Sequence, residues 1–375
     1  MSDHPISKFL QSRIDGGDFP SAVYLFAEKG EVVLHDALGY AVVEPEGIRA
    51  RQSTIYDLAS LTKPLVTGLL CAKLIDAGRL DTSEPVRSYL PELDGTFVAD
   101  IPILQLATHT AGLPAWKPFY VTASDPAGVV RDIALTVRTD DEQVIYGDPN
   151  FILLGEIVKR IFEANLPFVI EDEVCRPLGL IDSCFDEHLE AVDRVAASER
   201  GQGYEKQLCI DMGFLSADSD RIPSFRSDVI WGDVHDGNAH FCGGIAGHAG
   251  LFSTAEEVFK IAQQFLPNYT KLLKPETCEL FRTNFTKGMN EDRSFAFQLA
   301  STRDSTAGSK MPHLSFGHNG FTGTSLWIDP VNERVFILLT NRTHHHPLPF
   351  VNINSVRRRF HDLAIGYLDG KRRDF

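Results

Sequence analysis

Residues 56–70, YDLASLTKPLVTGLL, place a serine and a lysine three positions apart at the head of an apolar run and follow the lysine at once with a proline. Residues three apart share a helix face, so the side chains of Ser60 and Lys63 come within reach of each other. Pro64 suits the first turn, where a backbone N–H has no intrahelical partner, and marks a helix starting at about Ser60. There the serine N–H points free, and the helix dipole favours negative charge developing beside it. A nucleophilic hydroxyl needs a base, and a lysine that desolvation makes neutral at working pH can take its proton. The alternative is a plain helix cap, because one Ser-x-x-Lys is about what chance supplies in a chain of this size.

The whole chain bounds what that turn can serve. Its 375 residues suggest one large domain or two interleaved ones, and 43% hydrophobic with 23% charged residues is the composition of an ordinary globular protein. A net charge of -15 repels phosphate backbones and anionic lipid, which argues against nucleic acid and membrane surfaces as partners. The opening MSDHPISKFLQSRIDGG shows no basic segment leading into an apolar one, and no run approaches the roughly 18 apolar residues of a membrane span. The expected location is the cytoplasm. Cys71, Cys175, Cys184, Cys209, Cys242 and Cys278 form no Cys-x-x-Cys pair, so reduced thiols are expected rather than zinc ligands or a disulfide framework. The sequons at Asn268, Asn284 and Asn341 then carry little weight.

Strand texture sits near the two ends. Residues 21–42 read as two β-type runs around Lys29-Gly30, and TSLWIDP with RVFILLTN flank a turn at Pro330–Asn332. Between about 64 and 280 the texture is helical or loop-like: PLVTGLLCAKLIDAG, FILLGEIVKRIFEAN and TAEEVFKIAQQFL carry apolar positions every three to four residues. SVRRRFHDLAIGYL closes the chain as a helix. The pattern predicts one antiparallel sheet built from both termini, with an α-rich insertion between them.

Two further stretches join the first. YGDPNFILLG (146–155) leads a tyrosine and polar cluster into an apolar helix, and FGHNGFTGTSLWIDP (316–330) sets glycines around a histidine ahead of a strand. In this order and separation the three resemble the motifs of the serine β-lactamase and penicillin-binding-protein-like superfamily, closest to its class C branch with the family VIII esterases and D-amino-acid peptidases. LATHTAGLP (106–114), RPLGLIDSCF (176–185) and GGIAGHAGLFSTAEEV (243–258) resemble its flanking segments, so the likeness runs over about 20 to 365. It implies a β-lactamase-like α/β (α+β) fold: an antiparallel sheet flanked by helices, with an inserted mostly helical subdomain. Residues 1–75 and 285–375 would form the sheet unit, 76–284 the helical one, with the active site in the cleft between them. By the same resemblance Ser60 matches the acylated nucleophile, Lys63 its activating partner and Tyr146 the tyrosine that shuttles the proton. His318, Asn319 and Gly320 match the third motif, and the backbone N–H groups of Ser60 and Phe321 match the oxyanion hole.

The departures bear on substrate. The family's Tyr-x-Asn is here Tyr146-Gly147-Asp148, a carboxylate where an amide would donate, and Asn150 is the candidate to substitute for it. An anion at 148 disfavours substrates with a carboxylate nearby and pairs with Lys63. His318, mostly uncharged at neutral pH, replaces a permanently charged lysine. Both changes point to a neutral ester or small amide, with carboxylesterase expected first and D-aminopeptidase, D-Ala-type peptidase or weak β-lactamase activity as the alternative. A non-turnover sensor is the rival from another class. No metal or organic cofactor is expected, and the expected partner is a small ester or amide; oligomeric state is open. His344-His345-His346 reads as a loop, WGDVHDGNAHF (231–241) as a long loop over the cleft offering His235, Asp236 and His240, and His248 as a turn residue or a pocket wall.

Overall fold

The structure is a computed structural model that describes residues 4–139, 143–185, 192–215 and 225–371. Its strands are β1 (Ser21–Glu28), β2 (Glu31–Val42), β3 (Ile48–Arg49), β4 (Tyr56–Asp57), β5 (Cys184–Phe185), β6 (Leu251–Ser253), β7 (Gln298–Leu299), β8 (Phe316–Asn319), β9 (Ser325–Asp329) and β10 (Arg334–Thr340). Seven of them form one antiparallel sheet in the order β3-β2-β1-β10-β9-β8-β7, so the two ends of the chain meet where β1 pairs with β10. Lys29 and Gly30 both take left-handed φ, 51° and 80°, as a tight β1–β2 hairpin requires. At the β9–β10 turn the Asp329 carboxylate accepts from the N–H groups of Val331 and Asn332, which fixes the corner.

Both faces of the central strands are buried, and the two-residue period sorts their side chains. Val23, Leu25, Val335, Ile337 and Leu339 pack on the helical body with Leu65 and Leu69. Tyr24, Phe26, Phe336 and Leu338 pack on the helices of the two chain ends, Pro5–Asp15 and Asn354–Lys371, through Ile6, Leu10 and Phe360. A strand covered on both sides reads as a continuous apolar run, which is how SAVYLFAE and RVFILLT appear.

The helical middle is less regular than its sequence suggests. Ser60 stands in a single 3-10 turn, Ala59–Leu61; Lys63–Gly68 is wound as a π-helix, and α-helix begins only at Leu69 and runs to Asp76. The expected start near Ser60 holds, but the first two turns are not α. Gly68 lies where a Cβ would come within 2.7 Å of Ala296 Cβ, so the widened turns bring this segment hard against the chain ahead of β7. A small sheet, β4-β6-β5, pairs Tyr56–Asp57 with two strands of the middle region, all of two or three residues and too short to show alternation in the sequence. All six cysteines are free. Among the described residues no helix is long and apolar enough to cross a membrane.

Candidate active site

Ser60 is presented by a strained turn. Ala59, immediately before it, has φ 48°, a left-handed conformation that costs a non-glycine residue about 1–3 kcal/mol. The surroundings hold it there. The Asp57 carboxylate accepts from the N–H groups of Ala59 and His235 at 2.8 Å each, and Thr62 Oγ1 donates back to the Ala59 carbonyl. From the β8–β9 connection, Thr322 and Thr324 donate to the carbonyls of Asp57 and Leu58. Gly320 on that connection has no room for a side chain, since a Cβ would meet the Leu58 carbonyl at 2.5 Å. The turn bearing Ser60 and the third motif are therefore stitched directly together.

Lys63 is fully buried, and its Nζ donates to Ser60 Oγ at 2.9 Å, Asp148 Oδ1 at 2.8 Å and the His248 carbonyl at 3.2 Å. Three acceptors match the three donors of an ammonium. Burial by itself disfavours that charge, but the Asp148 carboxylate and Tyr146 outweigh it and hold Lys63 above its ordinary pKa. This corrects the expectation of a neutral lysine base: desolvation does act, yet an adjoining carboxylate overrides it. The pairing of Lys63 with Asp148 is as anticipated.

Two cations approach the Tyr146 ring, Lys63 Nζ at 5.2 Å and Arg293 Cζ at 5.0 Å from its centroid. His109 and His318 pack on the same ring at 4.7 and 5.5 Å. Burial, then Arg293 and Lys63, push both imidazoles well below their ordinary pKa, so both are neutral. His109 Nδ1 accepts the Gly147 N–H, which fixes the backbone between Tyr146 and Asp148. The Tyr146 hydroxyl is buried without a hydrogen-bond partner among the described residues.

Ser60, Tyr146, Asp148, His318, Asn319, Gly320 and Phe321 all line one cavity of about 490 Å³, a size suited to a small ligand. Asn150 does not line it. Asp148 and Asn150 both lie in the helix Asp148–Phe162, but two residues turn the helix by about 200°, so Asn150 faces inward and donates to the Gly147 carbonyl at 3.2 Å. It does not stand in for the missing motif amide. In the 231–241 stretch His235 and Asp236 reach the cavity, whereas His240 is half exposed and bonds Asp233. His235 stacks on Phe321 at 5.3 Å and bonds the buried Glu199 at 2.9 Å. His248 backs Asp236 at 3.0 Å; burial would raise the Asp236 carboxyl, but His248 and Lys63 hold it below the usual range. Ligand atoms of Asp148, Asp236 and His248 lie within 4.8 Å of one another, a spacing a metal could use. Lys63 already occupies Asp148, and His248 already spends its Nε2 on Asp236. His344 is structural, bonding the Val43 N–H and the Ser198 carbonyl.

Three arginines line the cavity without having been singled out in the sequence: Arg293, Arg342 and Arg357. Arg293 is held by Glu291 at 2.8 Å. Arg357, in the C-terminal helix, donates only to neutral oxygens, those of Asn354, Gly320 and Thr324, and its Nε has no partner among the described residues. Arg342 donates to the carbonyls of Phe321 and Val351. Burial and the neighbouring Arg342 pull Arg357 down to about 9. Solitary arginines spaced through the last third of a chain carry no motif, which is why reading the sequence passed over them.

Residues 6–357 match the Beta-lactamase family model. The chain belongs to the Beta-lactamase family. Curated relatives named putative D-alanyl-D-alanine carboxypeptidase, from Salmonella schwarzengrund and Salmonella gallinarum, are each 29% identical over 374 residues, covering 91% of this chain and 83% of theirs. Among solved structures, EstCE1, a hydrolase with promiscuous acyltransferase activity, superposes with a TM-score of 0.73 at 20% identity, covering 96% of this chain and 97% of that one. A class C beta lactamase from Rhodobacter sphaeroides gives 0.70 at 17%, covering 97% and 99%. An octameric penicillin-binding protein homologue from Pyrococcus abyssi gives 0.72 at 19%, covering 99% and 78%. These likenesses establish the β-lactamase-like fold, mixed α/β with its antiparallel sheet.

Proposed function

We propose that this Beta-lactamase family protein is a serine hydrolase that forms an acyl-enzyme on Ser60 and acts on a small ester or amide bearing a carboxylate. The observation that carries the chemistry is the contact of Lys63 Nζ with both Ser60 Oγ and Asp148 at the edge of the cavity. With Tyr146 entering the reaction as its phenolate, Ser60 Oγ attacks the substrate carbonyl as its proton passes to that oxygen and makes it the hydroxyl, while the Lys63 ammonium donates to Oγ. The carbonyl electron pair moves onto oxygen, received by the backbone N–H groups of Ser60 and Phe321, each such donor typically contributing about 3 kcal/mol in the transition state. Collapse expels the leaving group, which takes the proton from Tyr146; water, deprotonated by the same route, then releases the acid. No step calls on a cofactor.

The substrate reading differs in emphasis from the neutral ester first expected. Asp148 is neutralised by Lys63, so it repels a substrate carboxylate less than its sequence position implies. Arg342 and Arg357 supply guanidinium groups with no carboxylate of their own among the described residues. The relatives named as carboxypeptidases support an amide ending in a carboxylate. Neutral esters remain within reach of the same machinery, and EstCE1 supports that.

The test is turnover of an N-acyl-D-alanyl-D-alanine, p-nitrophenyl acetate and nitrocefin by the wild type and Ser60→Ala, with intact mass recorded. Turnover lost in Ser60→Ala, highest on the carboxylate-bearing amide, is the expected result. Turnover surviving in Ser60→Ala sinks the mechanism, and stable acylation without product moves the protein to the sensor class.

A further inference from the structure

We propose that Arg293 is a positioning residue of this active site, acting through Tyr146 as the second cation of the proton relay; the inference rests on the relay reading above. Arg293 comes from the segment ahead of β7, far in sequence from Ser60 and Tyr146. Its guanidinium is buried at 4% exposure and stands over the Tyr146 ring at 5.0 Å, almost the distance of Lys63 Nζ at 5.2 Å. One side of it is tied down: Nη2 donates to Glu291 Oε1 at 2.8 Å, and Gln298 donates to the same oxygen. Nε and Nη1 are buried with no partner among the described residues. Leaving such donors unmade costs about 1–3 kcal/mol each, more on a charged group, so a fold that keeps them has a compensating use for the charge.

The ring they face supplies that use. The Tyr146 hydroxyl has no hydrogen-bond partner among the described residues, and the two imidazoles on its ring, His109 and His318, are neutral. The third-motif histidine therefore brings no positive charge to the tyrosine, and Lys63 divides its donors among Ser60, Asp148 and the His248 carbonyl. Arg293 is the cation that joins Lys63 in steadying negative charge on the Tyr146 oxygen while that oxygen exchanges its proton with Ser60 and the leaving group. Glu291 and Gln298 orient it, so the charge is in place before substrate arrives.

The experiment uses p-nitrophenyl acetate, whose lack of a carboxylate removes any anchoring role of an arginine from the readout. Arg293→Met should lower kcat about 10- to 100-fold with KM within about threefold, and Arg293→Lys should keep most of the rate. In a Tyr146→Phe background, Arg293→Met should lower kcat less than about twofold further, since two residues acting as a unit are not additive. An equal loss in both backgrounds, or an unchanged kcat on Tyr146, overturns the proposal. Should the methionine variant not fold, Arg293→Lys is compared with Arg293→Gln, and equal losses in those two overturn it as well. If Tyr146→Phe alone leaves kcat intact, the relay itself fails and this inference with it. If Tyr146→Phe abolishes turnover while every Arg293 variant behaves as wild type, only this inference fails.

Discussion

Lys63 and Arg357 are both buried cations beside the same catalytic turn, and they sit in opposite electrical company. Lys63 has a carboxylate at 2.8 Å, and its pKa is held up against burial. Arg357 has three neutral oxygens and a second arginine, and its pKa is pulled down to about 9. A buried charge whose counter-ion is part of the fold is a fixed component of the site. One that lacks a counter-ion is destabilised until an anion is brought to it, which suits it to recognising an anionic ligand. At neutral pH the guanidinium remains charged either way, so the difference lies in what each can still bind.

The sharpest way to break this comparison is to remove the paired cation. Lys63→Met should lower kcat on every substrate by about 10³-fold or more, with neutral and carboxylate-bearing substrates affected alike. Steady-state rates on p-nitrophenyl acetate and an N-acyl-D-alanyl-D-alanine measure this, and a loss confined to one of them would mean that Lys63 is a binding group. Next in size is Asp148→Asn, which leaves burial opposed by Tyr146 alone and moves Lys63 toward its neutral form. If Lys63 works as an ammonium, kcat should fall about tenfold; a rise would show that the neutral amine is the base after all.

How much of this was legible beforehand follows from the range of each signal. The sheet was readable because β1 and β10 are apolar on both faces and the β1–β2 hairpin carries Lys29-Gly30 at its turn. Ser60 and Lys63 were readable because their contact is three residues long. The π-helical winding after Lys63 and the two-residue strands of the small sheet were not, because they depend on packing between segments far apart. The charge state of Lys63 needed the distance to Asp148, 85 residues away. Arg293 and Arg357 needed the cavity itself, and His109 was within a recognised block, but its place on the Tyr146 ring was not visible there.

Removing the unpaired cation should have a narrower effect. Arg357→Met is expected to raise KM about tenfold for the carboxylate-bearing amide and to leave p-nitrophenyl acetate within about twofold, the loss of one charge-assisted contact. Arg357 also ties the Gly320 and Thr324 carbonyls beside the catalytic turn. A parallel loss on the neutral ester would therefore reassign it from recognising substrate to holding the third motif in place.

The smallest effect belongs to Asn150, which shares a helix with Asp148 and points the other way. Its amide donates at 3.2 Å to the Gly147 carbonyl, inside the core and off the cavity, and its Oδ1 is buried without a partner among the described residues. Asn150→Ala removes one hydrogen bond of modest geometry together with an acceptor that is already unsatisfied, so the two terms partly cancel. The stability loss should be about 1 kcal/mol, read as a small shift in the denaturant midpoint, with kcat and KM unchanged on both substrates. A KM effect confined to the amide would mean that Asn150 reaches substrate in the bound state and supplies the donor that Asp148 lacks. That would move the recognition of the substrate carbonyl to the Asp148 helix and leave Arg357 to hold the carboxylate alone.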